Sequence, residues 1–540
     1  MKFKLIFLIA IIGASLPTYD FATCRYFISE FGYSCDIQNG VHSTADPLTF
    51  ENDVHLSGFD DVFVGFVNAT FARFDTIPPA ISEKFPNIKN LDLRASEISG
   101  TPAALENCDN LETLQLDGNA IATIAANTFE ACTNLKNLHL NANQITAVAF
   151  PDINLIEILL LARNNLALTA TSFENLVNLR VLDISGNGIA TLPADLLVAL
   201  VALEELNLSG NNIAVIPQTF FTEKEALKSL AMDNNVIADI DISETIDDVE
   251  VISSTLSALI NLENLEMRYN RLTSLSAIAF ESLTMLTTLE LDFNNITIID
   301  ADAFKSQQNL ARLNLFNNEL VTIPVNTFRN FDHIMELNLG NNRITELDPS
   351  IFKFNENLEV LILSENILTS LDPNVLKPLT NLTHLDLTSN QISEIHPDTF
   401  KFNDNLLALI MFDNQVATID EIMFESTGNL HTLYMSNNRV NYISPKIFES
   451  LPNLIILDLT GNLCINSMFS GNNISSDLEP FADCFNNYQI IFTPATTEET
   501  TTEEMTTEDI EDTTLGSSSI YASSVLTLLM LIAIFITKMS

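Results

Sequence analysis

The chain has little positive charge: of 540 residues, 24 are Lys or Arg against 70 Asp or Glu, a formal net charge of −46. Such a surface repels nucleic acid, heparin and anionic lipid headgroups over most of its extent; attraction of a basic protein partner and simple solubility both remain open as its role. Tryptophan is absent, so large aromatic contacts fall to 35 Phe and 8 Tyr. The signatures of common catalytic folds are missing too, with no G-x-S-x-G, no phosphate loop and no kinase segment. The 7 histidines, His139, His384 and His431 among them, are scattered without cysteine or carboxylate sets at metal-ligand spacing. No enzyme, cofactor or metal centre is expected.

What the chain does have is asparagine at a fixed phase. Asn119, Asn143, Asn164, Asn187, Asn211, Asn235, Asn270, Asn294, Asn318, Asn342, Asn366, Asn390, Asn414, Asn438 and Asn462 each close an L-x-x-L-x-L-x-x-N cassette, such as Leu286, Leu289, Leu291, Asn294. From Asn270 to Asn462 the step is 24 residues throughout; before it the steps are 24, 21, 23, 24, 24 and 35. A constant step with leucine in phase defines a leucine-rich-repeat solenoid, each unit burying its apolar side only against its neighbours. Leu289 and Leu291 alternate inward and predict a short strand, extended from repeat to repeat into a concave parallel sheet. An asparagine at the turn out of each strand both donates and accepts, and so forms a hydrogen-bonded ladder.

Past the asparagine a Phe recurs, as in Phe304, Phe328, Phe352, Phe400, Phe424 and Phe448, predicting an apolar spine on the convex side. Ile216-Pro217 and Ile323-Pro324 argue for short or irregular convex segments instead of long helices. With a looser copy ending at Ser96, sixteen repeats fill residues 62–463. The expected fold is therefore an α/β-type solenoid, a horseshoe.

The ends place this solenoid outside the cell. Lys2, Lys4 and the apolar run Leu5 to Ile12 read as a secretory signal within residues 1–20. An exposed solenoid core needs capping at both ends, and Cys24 with Cys35 (cap 21–61) and Cys464 with Cys484 (cap 464–492) supply disulfide staples. Cys108 and Cys132 share one phase in adjacent repeats; a bridge and two buried thiols both remain open. Residues 493–515 form a Thr- and Glu-rich acidic stalk without a basic side chain. The segment 516–540 then reads as a glycosylphosphatidylinositol signal with its anchor near Gly516 or Ser517, or as a single membrane span. N-x-S/T sequons mark Asn68, Asn207, Asn295, Asn381 and Asn473. A glycan on Asn207, between two strand leucines, would obstruct the early concave face and leave recognition to later repeats.

Large apolar side chains at solvent-facing phases mark candidate ligand contacts. Tyr269, Phe293 and Phe316, beside Arg268, Glu290 and Arg312, form one group; Ile362, Ile410, Phe412 and Tyr434 form a second. The partner face is thus expected on the concave side of repeats eight to fifteen. One insertion stands apart: the 35-residue step carries Asp239, Asp241, Ser243, Asp247 and Glu250 at calcium-loop spacing, with Glu244 where such a loop needs glycine. It reads as a solvated acidic insertion or as a calcium loop.

The cassettes resemble extracellular leucine-rich-repeat proteins of the connectin and chaoptin kind, insect cell-surface adhesion molecules with lipid anchors, and also secreted insect immune leucine-rich-repeat proteins. The resemblance covers the repeats. It implies a membrane-anchored glycoprotein that binds an extracellular or cell-surface protein, with a second copy of itself as one possible partner. A secreted immune recognition factor and a single-span signalling co-receptor are the competing expectations. Its C-terminal cap departs from such relatives, with two cysteines where four are common.

Overall fold

The structure, a computed structural model, describes residues 21–29, 32–38, 49–50, 60–72, 74–152, 155–246, 249–471, 474 and 478–492. The expected signal segment 1–20, Asp247, Asn473, the expected stalk 493–515, and the segment 516–540 with Gly516 and Ser517 lie outside them.

Each cassette makes one three-residue strand centred on its fourth residue, which is turned inward with the sixth while the residues on either side of the fourth face out. Thr288–Glu290 is one example: Leu289 is fully buried, and the strand pairs in parallel register with Arg312–Asn314, Leu289 opposite Leu313. The same register runs through every repeat into a 21-stranded sheet. The asparagine ladder closes it. Asn294 donates from Nδ2 to the carbonyls of Met267 in the preceding repeat (2.9 Å) and Leu291 in its own (3.0 Å), while its Oδ1 accepts from the Leu272 amide at 3.1 Å. Ser96 at the start of the array keeps half of this role, donating to the Ala69 carbonyl at 2.9 Å.

Bringing that asparagine inward forces the residue before it into the left-handed region in every repeat, with φ between 49° at Asn341 and 71° at Gly461. Glycine, asparagine, aspartate and serine take this conformation at little expense, and most repeats use them. Tyr269 (φ 54°) and Phe293 (φ 55°) are the two aromatic exceptions.

On the opposite side the phenylalanines stack as expected: Phe280 on Phe304 at 5.8 Å, Phe328 on Phe352 at 5.9 Å, Phe400 on Phe424 at 6.0 Å between ring centres. Short parallel pairs such as Ser274–Leu275 with Ile298–Ile299 form local ladders there. Helices are few and brief: among the described residues of the repeats the α-helices are Pro79–Lys84, Pro373–Leu376 and Ile447–Ser450, with short 3-10 turns such as Ala126–Phe129 and Glu421–Phe424.

Both ends of the sheet are covered. The hairpin Phe21–Ser29 with Gly32–Gln38, joined by Cys24–Cys35, lays its second strand parallel to Phe66–Asn68 and so caps the first turn. At the other end Met468–Ser470 pairs antiparallel with Ile456–Asp458, and Cys464–Cys484 ties in the helix Ala482–Phe492. Phe481, fully buried against Phe448 and Phe469, plugs the last repeat. Cys108 and Cys132 are bridged, with Cα atoms 4.7 Å apart, which resolves the open pair. The acidic insertion is an antiparallel hairpin, Asp241–Ile246 with Val249–Ser254, and not a loop. Asp239 accepts from the Asp241 amide at 2.9 Å, and Asp247, one of the calcium-loop positions, lies outside the described residues.

Candidate recognition surface

Exposed strand residues form columns, one residue per repeat, because the register never slips. The column that holds Glu290 runs through Asn68, Asp92, Asn207, Glu266, Asn314, Asn338, Ile362, Asp386, Ile410 and Tyr434. Two sequon asparagines, Asn68 and Asn207, therefore stand on the sheet face of the early repeats. Asn295 and Asn381 lie off that column and are exposed.

The first aromatic group is assembled. Tyr269 and Phe293 stack almost parallel, 4.2 Å between ring centres and 10° between planes, and Phe316 meets Phe293 edge-on at 5.6 Å. Tyr269 is 47 % exposed; Phe293 and Phe316 are partly so. Beyond Phe316 the next repeat places Gly340, where a Cβ would come 3.0 Å from the Phe316 ring, so a bare backbone gives that ring its room.

Beside this shelf Arg268 sits among four carboxylates: Glu266 at 3.0 Å, Asp233 at 3.2 Å, Asp292 at 3.3 Å and Glu290 at 3.5 Å. One guanidinium does not neutralise four, and Glu290 and Asp292 are buried. Burial lifts the Asp292 carboxyl to about 6 in spite of Arg268, and it raises Asp233 as well. Burial works against the Arg268 charge, but the surrounding carboxylates, Glu290 foremost, outweigh it. Arg312 does not join this cluster; it pairs with Glu336 at 2.8 Å in the adjoining column.

The second group does not form an exposed patch. Ile362 and Ile410 are only 9 % and 6 % exposed; their in-register neighbours are Asn338 and Asp386 for the first, Asp386 and Tyr434 for the second. Phe412 and Tyr434 keep partial exposure. Asp386 at the centre is pushed up by burial, though Thr388 and Ser364 donate to it.

A charge pattern lies beside the candidate contacts, outside the aromatic phases. The residue after the first cassette leucine alternates in sign over eight repeats: Lys89, Glu112, Lys136, Glu157, Arg180, Glu204, Lys228, Glu263. Ion pairs link Lys89 to Glu112 (2.8 Å), Arg180 to Glu204 (2.7 Å) and Lys228 to Glu204 (2.9 Å). Four of the 24 basic residues thus edge the sheet, and three of them pair with acidic neighbours one repeat away. The pattern's signal was the repeat phase itself, read one residue away from the leucines.

Overlapping segments across residues 109–213 and 284–463, more than half of the chain, match the leucine rich repeat family model. The chain belongs to the leucine-rich-repeat family. Curated proteins offer no match to it. Among solved structures, a chain of the glycosylated Toll–Spatzle complex of Drosophila superposes with a TM-score of 0.61 at 21% identity, over 82% of this chain and 69% of that one. In a second structure of the complex the TM-score is 0.56 at 22% identity, and this protein covers 71% of its own length but only 48% of the other chain. The Leptospira interrogans LRR protein LIC12759 matches with a TM-score of 0.55 at 23% identity, over 73% and 95% of the two chains. The plant peptide hormone receptor RGFR1, solved with RGF2, gives 0.51 at 22% identity, over 77% and 74%. At such identities the likeness is one of fold.

Proposed function

We propose that this leucine-rich-repeat protein is displayed on the outer face of the plasma membrane and recognises an extracellular or cell-surface protein through the concave sheet of repeats eight to fifteen. The observation that carries the reading is the Tyr269–Phe293–Phe316 shelf, three aromatic rings in mutual contact and partly open to solvent on the sheet face. The sequons at Asn68 and Asn207 stand on the early part of the same sheet and favour the later repeats. Toll and RGFR1 were solved bound to Spatzle and RGF2, which gives a protein or peptide ligand precedent on this architecture. An adhesive role of the connectin and chaoptin kind is the specific form we favour, with a lipid anchor at Gly516 or Ser517. Among the described residues no helix is long and apolar enough to cross a membrane, and the terminal segment lies outside them.

The test uses a glycan wedge. Asp386→Asn converts Asp386-Leu387-Thr388 into a sequon in the middle of the proposed face, and Asp386→Asn with Thr388→Ala carries the same first substitution without a sugar. A partner isolated with the wild-type chain should lose binding to the first variant and keep it with the second. Equal binding to both rejects the concave face. Release of surface protein by phosphatidylinositol-specific phospholipase C tests the anchor; retention with a detectable C-terminal peptide favours the co-receptor reading.

A further inference from the structure

The left-handed position before each ladder asparagine disfavours bulky side chains, and fourteen of the sixteen repeats avoid aromatics there. Repeats eight and nine place Tyr269 and Phe293 at it, in succession. Their rings add nothing to the apolar core: Tyr269 is 47 % exposed, and its broad contact is Phe293 itself, 4.2 Å away. Neighbouring repeats show the inexpensive solution at the same position, Asn317 and Asn341 with φ of 53° and 49°. Backbone strain retained for two exposed rings points to a task outside the fold.

The surroundings narrow that task. The face of an aromatic ring carries partial negative charge, and the shelf adjoins four carboxylates that share one guanidinium. An approaching anion meets repulsion and a neutral group meets no complement. A planar cation gains from both the ring faces and the uncompensated carboxylates. Resting on the recognition reading above, we propose that the Tyr269–Phe293–Phe316 shelf seats an arginine side chain from a basic segment of the partner protein, its guanidinium lying on the rings and its charge set against the acidic cluster round Arg268.

The probe is a fluorescent nine-residue arginine peptide titrated into the full chain at roughly physiological salt, where exposed charges more than about 8 Å apart are largely screened. A citrulline peptide of equal length keeps the shape and removes the charge. The informative variant is Tyr269→Asn with Phe293→Asn, which leaves the net charge unchanged and installs the residue that the neighbouring repeats carry. The expected result is arginine-peptide binding that weakens about tenfold in this variant, with melting at the wild-type temperature or above, and no binding of the citrulline peptide. Unchanged arginine-peptide affinity in the double variant would show attraction to the acidic surface at large and overturn the proposal; equal binding of the citrulline peptide would overturn it as well. If the peptide fails while the Asp386 wedge still blocks the partner, the arginine seat falls and the concave-face reading stands. If the wedge is without effect, that reading falls whatever the peptide does.

Discussion

The Oδ1 of Asn318 accepts a hydrogen bond from the backbone amide of Ile296, one repeat back, at 2.9 Å. The same side chain donates to the carbonyls of Leu291 at 3.0 Å and Leu315 at 3.1 Å, so one amide joins two turns at three buried points. Truncation leaves those backbone groups without partners in a dry interior. Asn318→Ala is expected to lower unfolding stability by about 1–3 kcal/mol, and Asn318→Asp by a similar amount, since a carboxylate donates nothing. Urea denaturation followed by circular dichroism measures both; an unchanged midpoint would mean the ladder is decorative.

Cys108 and Cys132 cross-link adjacent repeats through a 24-residue step. In the chain-entropy picture closing such a loop is worth about 3 kcal/mol. Replacing both with Ala should therefore destabilise the early repeats by that order, visible as faster amide exchange in strands Thr113–Gln115 and Asn137–His139. Exchange spread evenly along the array would indicate that the bridge holds nothing local.

Lys224 is 1 % exposed, and its Nζ donates only to its neighbours' carbonyls, Thr222 at 3.1 Å and Glu223 at 3.2 Å. Burial pushes its ammonium pKa down. The unfolded chain then holds that proton more tightly than the native one, so stability rises as pH increases through the native value. Another repeat uses Leu283 at this phase, and Lys224→Leu should raise the melting temperature at neutral pH and remove that alkaline gain. Calorimetry at neutral and alkaline pH reads both effects; a lower melting temperature for the variant would contradict the assignment.

Asp292 moves the other way. Its native pKa is about 6, above the ordinary 3.8, so between those values the native state binds the proton more tightly and its contribution to stability falls as pH rises. Asp292→Asn should flatten the dependence between roughly pH 4 and 6, and the wild-type minus variant difference isolates this group from other buried carboxyls. Parallel curves would place the titration elsewhere.

How much of this was legible in advance follows from which interactions repeat. Leucine phase and asparagine spacing recur at every step, so the solenoid, the ladder and the Phe spine could be read from residues such as Leu289, Asn294 and Phe304 alone. Periodicity is also why the caps stood out as breaks in pattern. What escaped was set by neighbours in three dimensions. Ile362 and Ile410 occupy the same outward phase as Glu290, yet both are buried, and no single repeat encodes that. The insertion's run Asp241-Ile-Ser-Glu-Thr-Ile carries three β-branched residues suited to strand pairing beside its oxygen-bearing ones, and its backbone pairs as a hairpin. Tyr269, Phe293 and Phe316 were found by phase, whereas the guanidinium enclosed by Asp233, Glu266, Glu290 and Asp292 needed coordinates, since it draws on three repeats.

Amide hydrogen exchange of the intact chain, alone and saturated with its isolated protein partner, tests recognition most directly. Recognition through the concave sheet predicts slowed exchange confined to the sheet strands of repeats eight to fifteen, strongest at Asn264–Glu266, Thr288–Glu290 and Arg312–Asn314. Protection on the convex segments around Phe304, Phe328 and Phe352, with those strands unchanged, would contradict it.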